Sequence, residues 1–351
     1  MTTMQAAVAA RGSLTVEHVE EPTPGQGQVL VASRAAGICG SDLHLLDLQR
    51  STPDLVPPIV LGHEFCAELL EAGPGTEGKL KPGTLVCSVP FVDGPAGPEL
   101  VGLSWTYPGA LGERFVLQER RLVEVPHGLD ARRAALAEPL AVGMHAVGAA
   151  NVKPGDVALV VGCGPVGLAV ISALKLGGAG PVVASDLSAA RRALAERAGA
   201  DVVVDPAATA PYEALLARGP APLPPSPLLD AAELRTARGG TVVFDCAGVP
   251  GLLSQHIAAI PQHSRIVVAG VCHHPDTFVP LDALQKELTV QFVFAYRPEE
   301  FHASLHHIAE GRIDVEPWIT STRPLSEVAA ALDDLAAGGH NCKVVIEPPS
   351  S

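Results

Sequence analysis

Between Asp156 and Val271 short apolar runs alternate with helical stretches, and no other feature narrows the possible folds as much. The runs are "VALVVGC", "PVVASD", "DVVVD", "TVVFDCAG" and "RIVVAGV". An apolar run without polar alternation suits a strand covered on both faces, as in a parallel sheet. The intervening "GPVGLAVISALKLGG" and "SAARRALAERAGA" carry helical spacing and end at glycines. This order predicts an α/β fold with a doubly wound parallel sheet. The connection from Asp205 to Gly240 contains "RGPAPLPPSPLLD", whose prolines forbid regular structure and favour an extended loop. Because the strands resume after it, it reads as an embellishment inside this half of the chain.

The turn after the first of these strands is Gly162-x-Gly164-x-x-Gly167. Glycines alone are a weak signal, but here they lie between a buried strand and a helix. The first allows the tight turn, the second lets a pyrophosphate approach the backbone, and the third brings helix and strand together. With Pro165 and Val166 opening the helix, its unpaired N–H groups face the phosphates. Asp186, at the end of the second strand, stands where a carboxylate accepts from the adenine ribose hydroxyls. A 2′-phosphate there meets like charge, which favours NAD over NADP. Arg191 and Arg192 follow closely enough to keep NADP open, so Arg191 joins the candidate cofactor residues. The plainer alternative for Asp186 is a helix cap for "LSAARRALA".

The rest of the chain has a different character. Residues 1–90 alternate β-like runs such as "QVLVASRAAG", "CAELLEAGPG" and "GTLVCSVP" with Gly/Pro turns, and "EPLAVGMHAVGAANVKPGD" reads as a helix ending at a turn. Near the end, "EEFHASLHHIAEGRI" and "LSEVAAALDDLAAGG" read as amphipathic helices and "CKVVIEP" as a last strand. A length of 351 residues suits two domains. The net charge of −14 argues against nucleic acid as a partner. No apolar run reaches the roughly 20 residues of a membrane span. The start lacks the pattern of a secretion signal. Seven cysteines, an odd and scattered set, do not make a disulfide framework, and a reducing cytoplasm is expected.

Within "AAGICGSDLHLLD" a thiol, a hydroxyl, a carboxylate and an imidazole crowd into six positions, Cys39 to His44. "LGHEFCAELLEAG" then pairs His63 with Glu64, and "ALAEPLAVGMHAV" sets Glu138 before a proline. One thiolate, one imidazole and one or two carboxylates make a zinc set, and three protein ligands leave a fourth position open for chemistry. Singly, each has a plain alternative: a core cysteine, a solvated His-Glu pair, a helix start. Together, upstream of a dinucleotide fold, they point to a metal.

"GICGSDLH", "GHEFCAELLEAG", "AEPLAVGMHAV" and "GCGPVGL", in this order, resemble the zinc-containing medium-chain dehydrogenase/reductase family, in particular its sorbitol and butanediol dehydrogenase type. The resemblance spans nearly the whole chain. It implies a GroES-like β-rich catalytic domain in two parts, residues 1–150 and 296–351, flanking a Rossmann NAD-binding domain, residues 151–295, with the active site in the cleft between them. By the same resemblance Cys39 and His63 are zinc ligands, and Glu64 and Glu138 compete for the third place. Ser41 takes the substrate proton, Asp42 orients His63, and His44 is the outer end of a proton relay. The implied activity is hydride transfer between NAD and a secondary alcohol or diol, with the ketone as its partner. A homodimer or homotetramer is implied as well.

Some features depart from the family. The stretch "VPFVDGPAGPELVGLSWTYPGALGERF" has none of the four cysteines that hold a structural zinc in many members. One catalytic zinc and no structural zinc are therefore expected, with Trp105 and Tyr107 as candidates for packing that lobe. Ala295 replaces an arginine that polyol-oxidising relatives place before a tyrosine, here Tyr296. Phe91, Trp105 and Phe294 are candidate pocket walls, which tilts the substrate towards a less polar alcohol. Cys66 reads as strand packing, and the pairs His273-His274 and His306-His307 as surface. Two other readings stay open: a zinc-free quinone or enoyl reductase on the same fold, and a non-catalytic nucleotide- or zinc-binding protein.

Overall fold

The computed structural model describes residues 2–126, 128–219, 240–338 and 341–349. The proline-rich segment from 220 to 227 lies outside them. The chain forms two compact units, Met1–Glu138 with Phe301–Ser351, and Pro139–Glu300. The changeovers fall at 138 and 300 rather than at 150 and 295. The cause is the helix Ala137–Ala150. Beyond Glu138 it packs on the second unit: Gly143 lies against Ala169 and Val170, and Arg265 donates to the carbonyls of Ala150 and Asn151. His145 Nδ1 lies 2.9 Å from Glu300 Oε2, which fixes the other changeover.

The first unit is built on the strand Gln28–Gly37, buried along nearly its whole length. It pairs antiparallel with Glu64–Ala72 on one edge, and on the other with Arg114–Gln118 and then Lys343–Glu347. The last strand therefore returns from the far end of the chain to the middle of the sheet, with Ile346 opposite Ala36 and Val345 opposite Gly37. A separate three-stranded sheet pairs Thr3–Ala10 with Ser13–Glu20 and Ile59–Val60. The apolar core contains Val31, Phe65, Leu117 and Val344, and the rings of Phe65 and Phe115 meet edge to face at 4.8 Å. Burying such pairs supplies most of the driving force for this layer.

The lobe without cysteines is held differently from expectation. Trp105 is 70% exposed and packs nothing together, whereas Tyr107 does lie against the core. The work falls to buried Val92, Val101, Ala110 and Leu111. Ser104 adds a polar knot: its hydroxyl donates to Glu99 and accepts from the N–H groups of Thr106 and Tyr107.

The second unit is a six-stranded, wholly parallel sheet. Its spatial order is Val202–Val204, Val182–Ser185, Val157–Val161, Thr241–Asp245, Arg265–Val268, Thr289–Phe292. Winding reverses between Val157–Val161 and Thr241–Asp245. Ligands of open α/β sheets bind beside the carboxyl ends of the strands at such a reversal.

Candidate functional site

The metal-ligating candidates gather in the first unit through strand register. Gly37 stands opposite Glu64, so the turn leaving one strand carries Cys39 to the start of the next, where His63 and Glu64 sit. One ligand atom from each of Cys39, His63 and Glu64 lies within 4.8 Å of the others, the one such group of His, Cys, Asp or Glu among the described residues. Thiolate, imidazole and carboxylate are a donor set that suits zinc.

Cys39 precedes the helix Gly40–Ser51 and is held by its third residue, since Asp42 Oδ2 accepts from the Cys39 N–H at 2.9 Å. The other Asp42 oxygen is buried without a hydrogen bond, 3.8 Å from His63 Nδ1. On the opposite ring edge, Ser41 Oγ lies 3.3 Å from His63 Nε2. Burial alone would discourage charge on His63. The hydrogen bond and charge of Cys39, with the charges of Asp42 and Glu138, outweigh it and push the ring up to about 10. A site that holds a proton so firmly on an imidazole is one whose surroundings call for a cation. Glu138, half-buried at the start of its helix, thus belongs to the same electrostatic field. His44 is half-buried on the same helix as Ser41.

Sequence reasoning missed Lys343. Its ammonium lies 2.8 and 2.6 Å from the two Glu64 oxygens and donates to the Ile38 carbonyl at 3.0 Å. Both side chains are almost wholly buried. Burial would drive the Lys343 proton off, but the charges of Glu64 and Cys39 hold its pKa above the usual lysine range. The only trace in the sequence was a lone lysine beginning the apolar strand "KVVIE".

The dinucleotide candidates lie in the second unit. Gly162 adopts φ 90°, a backbone open to glycine at little cost. A Cβ on Gly167 would overlap the Gly162 carbonyl, so only glycine lets the helix Pro165–Leu176 seat on the turn. Gly164 caps that helix with open space before it, followed by Pro165 and Val166 in the first turn. Asp186 is tied into this loop: Oδ2 accepts from the Cys163 N–H at 2.8 Å and Oδ1 from the Ser188 N–H at 2.7 Å. Arg192 donates to the Asp186 and Leu187 carbonyls and pairs with Asp205 at 3.0 Å. Arg191 meets the Ser188 hydroxyl through its backbone N–H. Elsewhere His273 and His274 are exposed, Phe294 is 86% exposed, and Cys66 is fully buried beside the thiol of Cys87.

Breaking the buried pair from one side tests its importance. Lys343→Met leaves the Glu64 carboxylate buried and unpaired, an expected loss of about 3–5 kcal/mol. The double variant Glu64→Gln/Lys343→Met should recover much of it. Denaturant unfolding of the metal-free protein measures both, and equal losses in the two variants would contradict the pairing.

A family model described as "Zinc-binding dehydrogenase" matches residues 165–310, and "Alcohol dehydrogenase GroES-like domain" matches residues 25–127. (R,R)-butanediol dehydrogenase of Bacillus subtilis (strain 168) is 32% identical, over 93% of this chain and 92% of its own. The crystal structure of 2R,3R-butanediol dehydrogenase from Bacillus subtilis superposes with a TM-score of 0.79 at 30% identity, covering 99% of this chain and 100% of that one. A structure from Sinorhizobium meliloti 1021 bound to NADP gives 0.82 at 29% identity, with coverage of 99% and 100%. The chain belongs to the zinc-type alcohol dehydrogenases, with a GroES-like domain and a Rossmann-like parallel sheet.

Proposed function

We propose that the protein transfers hydride between NAD(H) and a secondary alcohol or diol, with the corresponding ketone as the other reactant. The observation that carries this reading is the convergence of Cys39, His63 and Glu64 with the Ser41 hydroxyl beside the same imidazole. Cys39 and His63 would hold one zinc, with Glu64 or Glu138 in the third place. Bound zinc supplies a Lewis acid to the alcohol oxygen, and the nicotinamide supplies the hydride acceptor. Ser41 accepts the proton that the alcohol gives up, and His44 carries it towards solvent. Asp42 keeps His63 in the orientation that leaves Nε2 for the metal. Lys343 pairs with Glu64 through both its oxygens, which offsets negative charge that a single dication would leave in excess. The unit Met1–Glu138 with Phe301–Ser351 would supply the catalytic part and Pro139–Glu300 the cofactor part.

Metal content and turnover test the reading together. About one zinc per chain is expected, with NAD reduction by secondary alcohols and diols that a chelator abolishes and added zinc restores. Turnover that survives in metal-free protein would favour a zinc-free reductase instead.

The preference for NAD rests on Asp186. Its carboxylate repels a 2′-phosphate, and Arg192 is already engaged by two carbonyls and Asp205. Asp186→Asn keeps an oxygen for the loop and removes the charge. It should narrow the NAD-over-NADP ratio of kcat/KM by about tenfold or more. A native preference for NADP would overturn the assignment.

The sheet of the second unit ends in the strand Thr289–Phe292, with Phe292 70% and Phe294 86% exposed. Such an edge invites pairing, and we read it as a homodimer contact, which a second contact could double to a tetramer. Phe292→Lys with Phe294→Lys should shift the sedimentation coefficient from dimer to monomer; a monomeric parent chain would refute the contact. Free cysteines and Cys39 as a metal ligand fit a reducing cytoplasm. No helix among the described residues is long and apolar enough to cross a membrane.

A further inference from the structure

At the point where the parallel sheet reverses, two turns meet side by side. One is the Gly162 turn. The other, Cys246–Gly248, follows the strand Thr241–Asp245, and its Ala247 backbone lies against Gly162 so closely that a Cβ there would contact it. The Cys246 N–H donates to the Val161 carbonyl at 2.8 Å, which joins the two turns directly. Whatever fixes the second turn therefore also fixes the wall behind the first.

That second turn is fixed by Asp245, a buried carboxylate at the end of its strand. Oδ1 accepts from the N–H groups of Ala247 and Gly248 at 3.1 and 3.2 Å. Its carbonyl accepts from Ala269 and Gly270 at 2.9 and 2.8 Å, which anchors the strand end to its other neighbour. Oδ2 faces His256 Nε2 at 3.4 Å. His256 belongs to the helix Leu252–Ala259, is fully buried, and finds no hydrogen-bond partner for Nε2 among the described residues other than this approach to Asp245. Its Nδ1 lies 2.9 Å from the hydroxyl of Tyr212, on the helix Pro211–Leu216.

The tautomer follows from the partners. Burial, with the Asp245 charge behind it, pushes the Tyr212 phenol up to about 12, so the O–H is retained and is able either to donate to Nδ1 or to accept from it. Asp245 Oδ2, 3.4 Å from Nε2, favours the ring proton on Nε2, since the opposite tautomer would set a bare lone pair against an anion. A tyrosine, a histidine and an aspartate thus run in line from a flanking helix to the back of the phosphate-binding turn. None of the three carries the sequence signature of a cofactor motif.

We propose that His256, steadied by Tyr212, is a positioning residue for dinucleotide binding: it holds Asp245, and through Asp245 the Cys246–Gly248 turn against Gly162. This rests on the dinucleotide reading of the Gly162–Gly167 loop. All three residues belong to the second unit and Cys39, His63 and Glu64 to the first, so the group is expected to act on cofactor affinity and to leave the chemical step alone.

The test is NADH binding to the zinc-loaded protein, followed by fluorescence titration, with steady-state kinetics alongside. His256→Leu should raise the Kd for NADH about tenfold, because it leaves the buried Asp245 carboxylate without the imidazole that lies 3.4 Å away. kcat at saturating cofactor and zinc content should stay within about twofold of the parent. His256→Gln can present an N–H near the Nε2 position and should restore most of the affinity. Tyr212→Phe should weaken binding by a smaller factor. A parental Kd in His256→Leu, even with a lowered Tm, would show the cluster to be mere packing and overturn the proposal. So would His256→Gln binding no better than His256→Leu. If the leucine variant does not fold, Tyr212→Phe decides: a parental Kd there overturns the relay. No NADH binding by the parent chain would instead bring down the dinucleotide reading itself, and this inference with it.

Discussion

The first unit depends on the strand Gln28–Gly37 being shared by three neighbours. Antiparallel register along it decides that Glu64 faces Gly37, and hence that Cys39, His63 and Glu64 converge. On its other side the same strand receives Lys343–Glu347, from the opposite end of the chain. A slip of one residue in either pairing would turn every side chain to the other face. Here it would also remove either the carboxylate or its ammonium partner from the buried site. The nearly continuous burial that draws the strand into the core is thus what aligns the charged groups.

Those charged groups form one balanced set. Cys39, Asp42 and Glu138 act on a single buried imidazole, and Lys343 pairs with the neighbouring Glu64. Buried charge of one sign is costly unless it is paired, hydrogen-bonded or coordinated. The Asp42 carboxyl shows the strain of this arrangement: burial pushes its pKa up, and the His63 charge works against that rise. Cys39, His63 and Glu64 converge as thiolate, imidazole and carboxylate, a donor set suited to a dication.

The second unit solves a different problem by the same economy of backbone. Its Gly162–Gly167 turn is shaped by those two glycines, and braced on one side by Asp186 through the Cys163 N–H. On the other side stands the Asp245 turn. Two strand-end aspartates therefore hold adjacent turns by accepting from backbone N–H groups. Preorganised turns of this kind spare the ordering cost that a flexible loop would incur on binding.

Much of this was legible in the sequence, because periodicity and glycine spacing are local. The apolar runs marked the parallel strands, the Gly162–Gly167 spacing marked the turn, and the residue types singled out Cys39, His63 and Glu64, which strand register brings within 4.8 Å of one another. What the sequence alone could not decide was long-range. Trp105 looked like a core anchor and is exposed, because an aromatic in a loop carries no information about which way the loop folds. The helix Ala137–Ala150 looked like the end of one domain and packs mostly with the next, since contacts and not composition set that boundary. Lys343 and His256 showed no motif at all. One acquires its meaning from a strand that crosses 279 residues to reach Glu64, the other from a sheet that brings two sequence-distant turns into contact. The sequence by itself determined the elements and the donor types; the tertiary structure decided which charges share a buried space, because only strand pairing across the chain sets those distances.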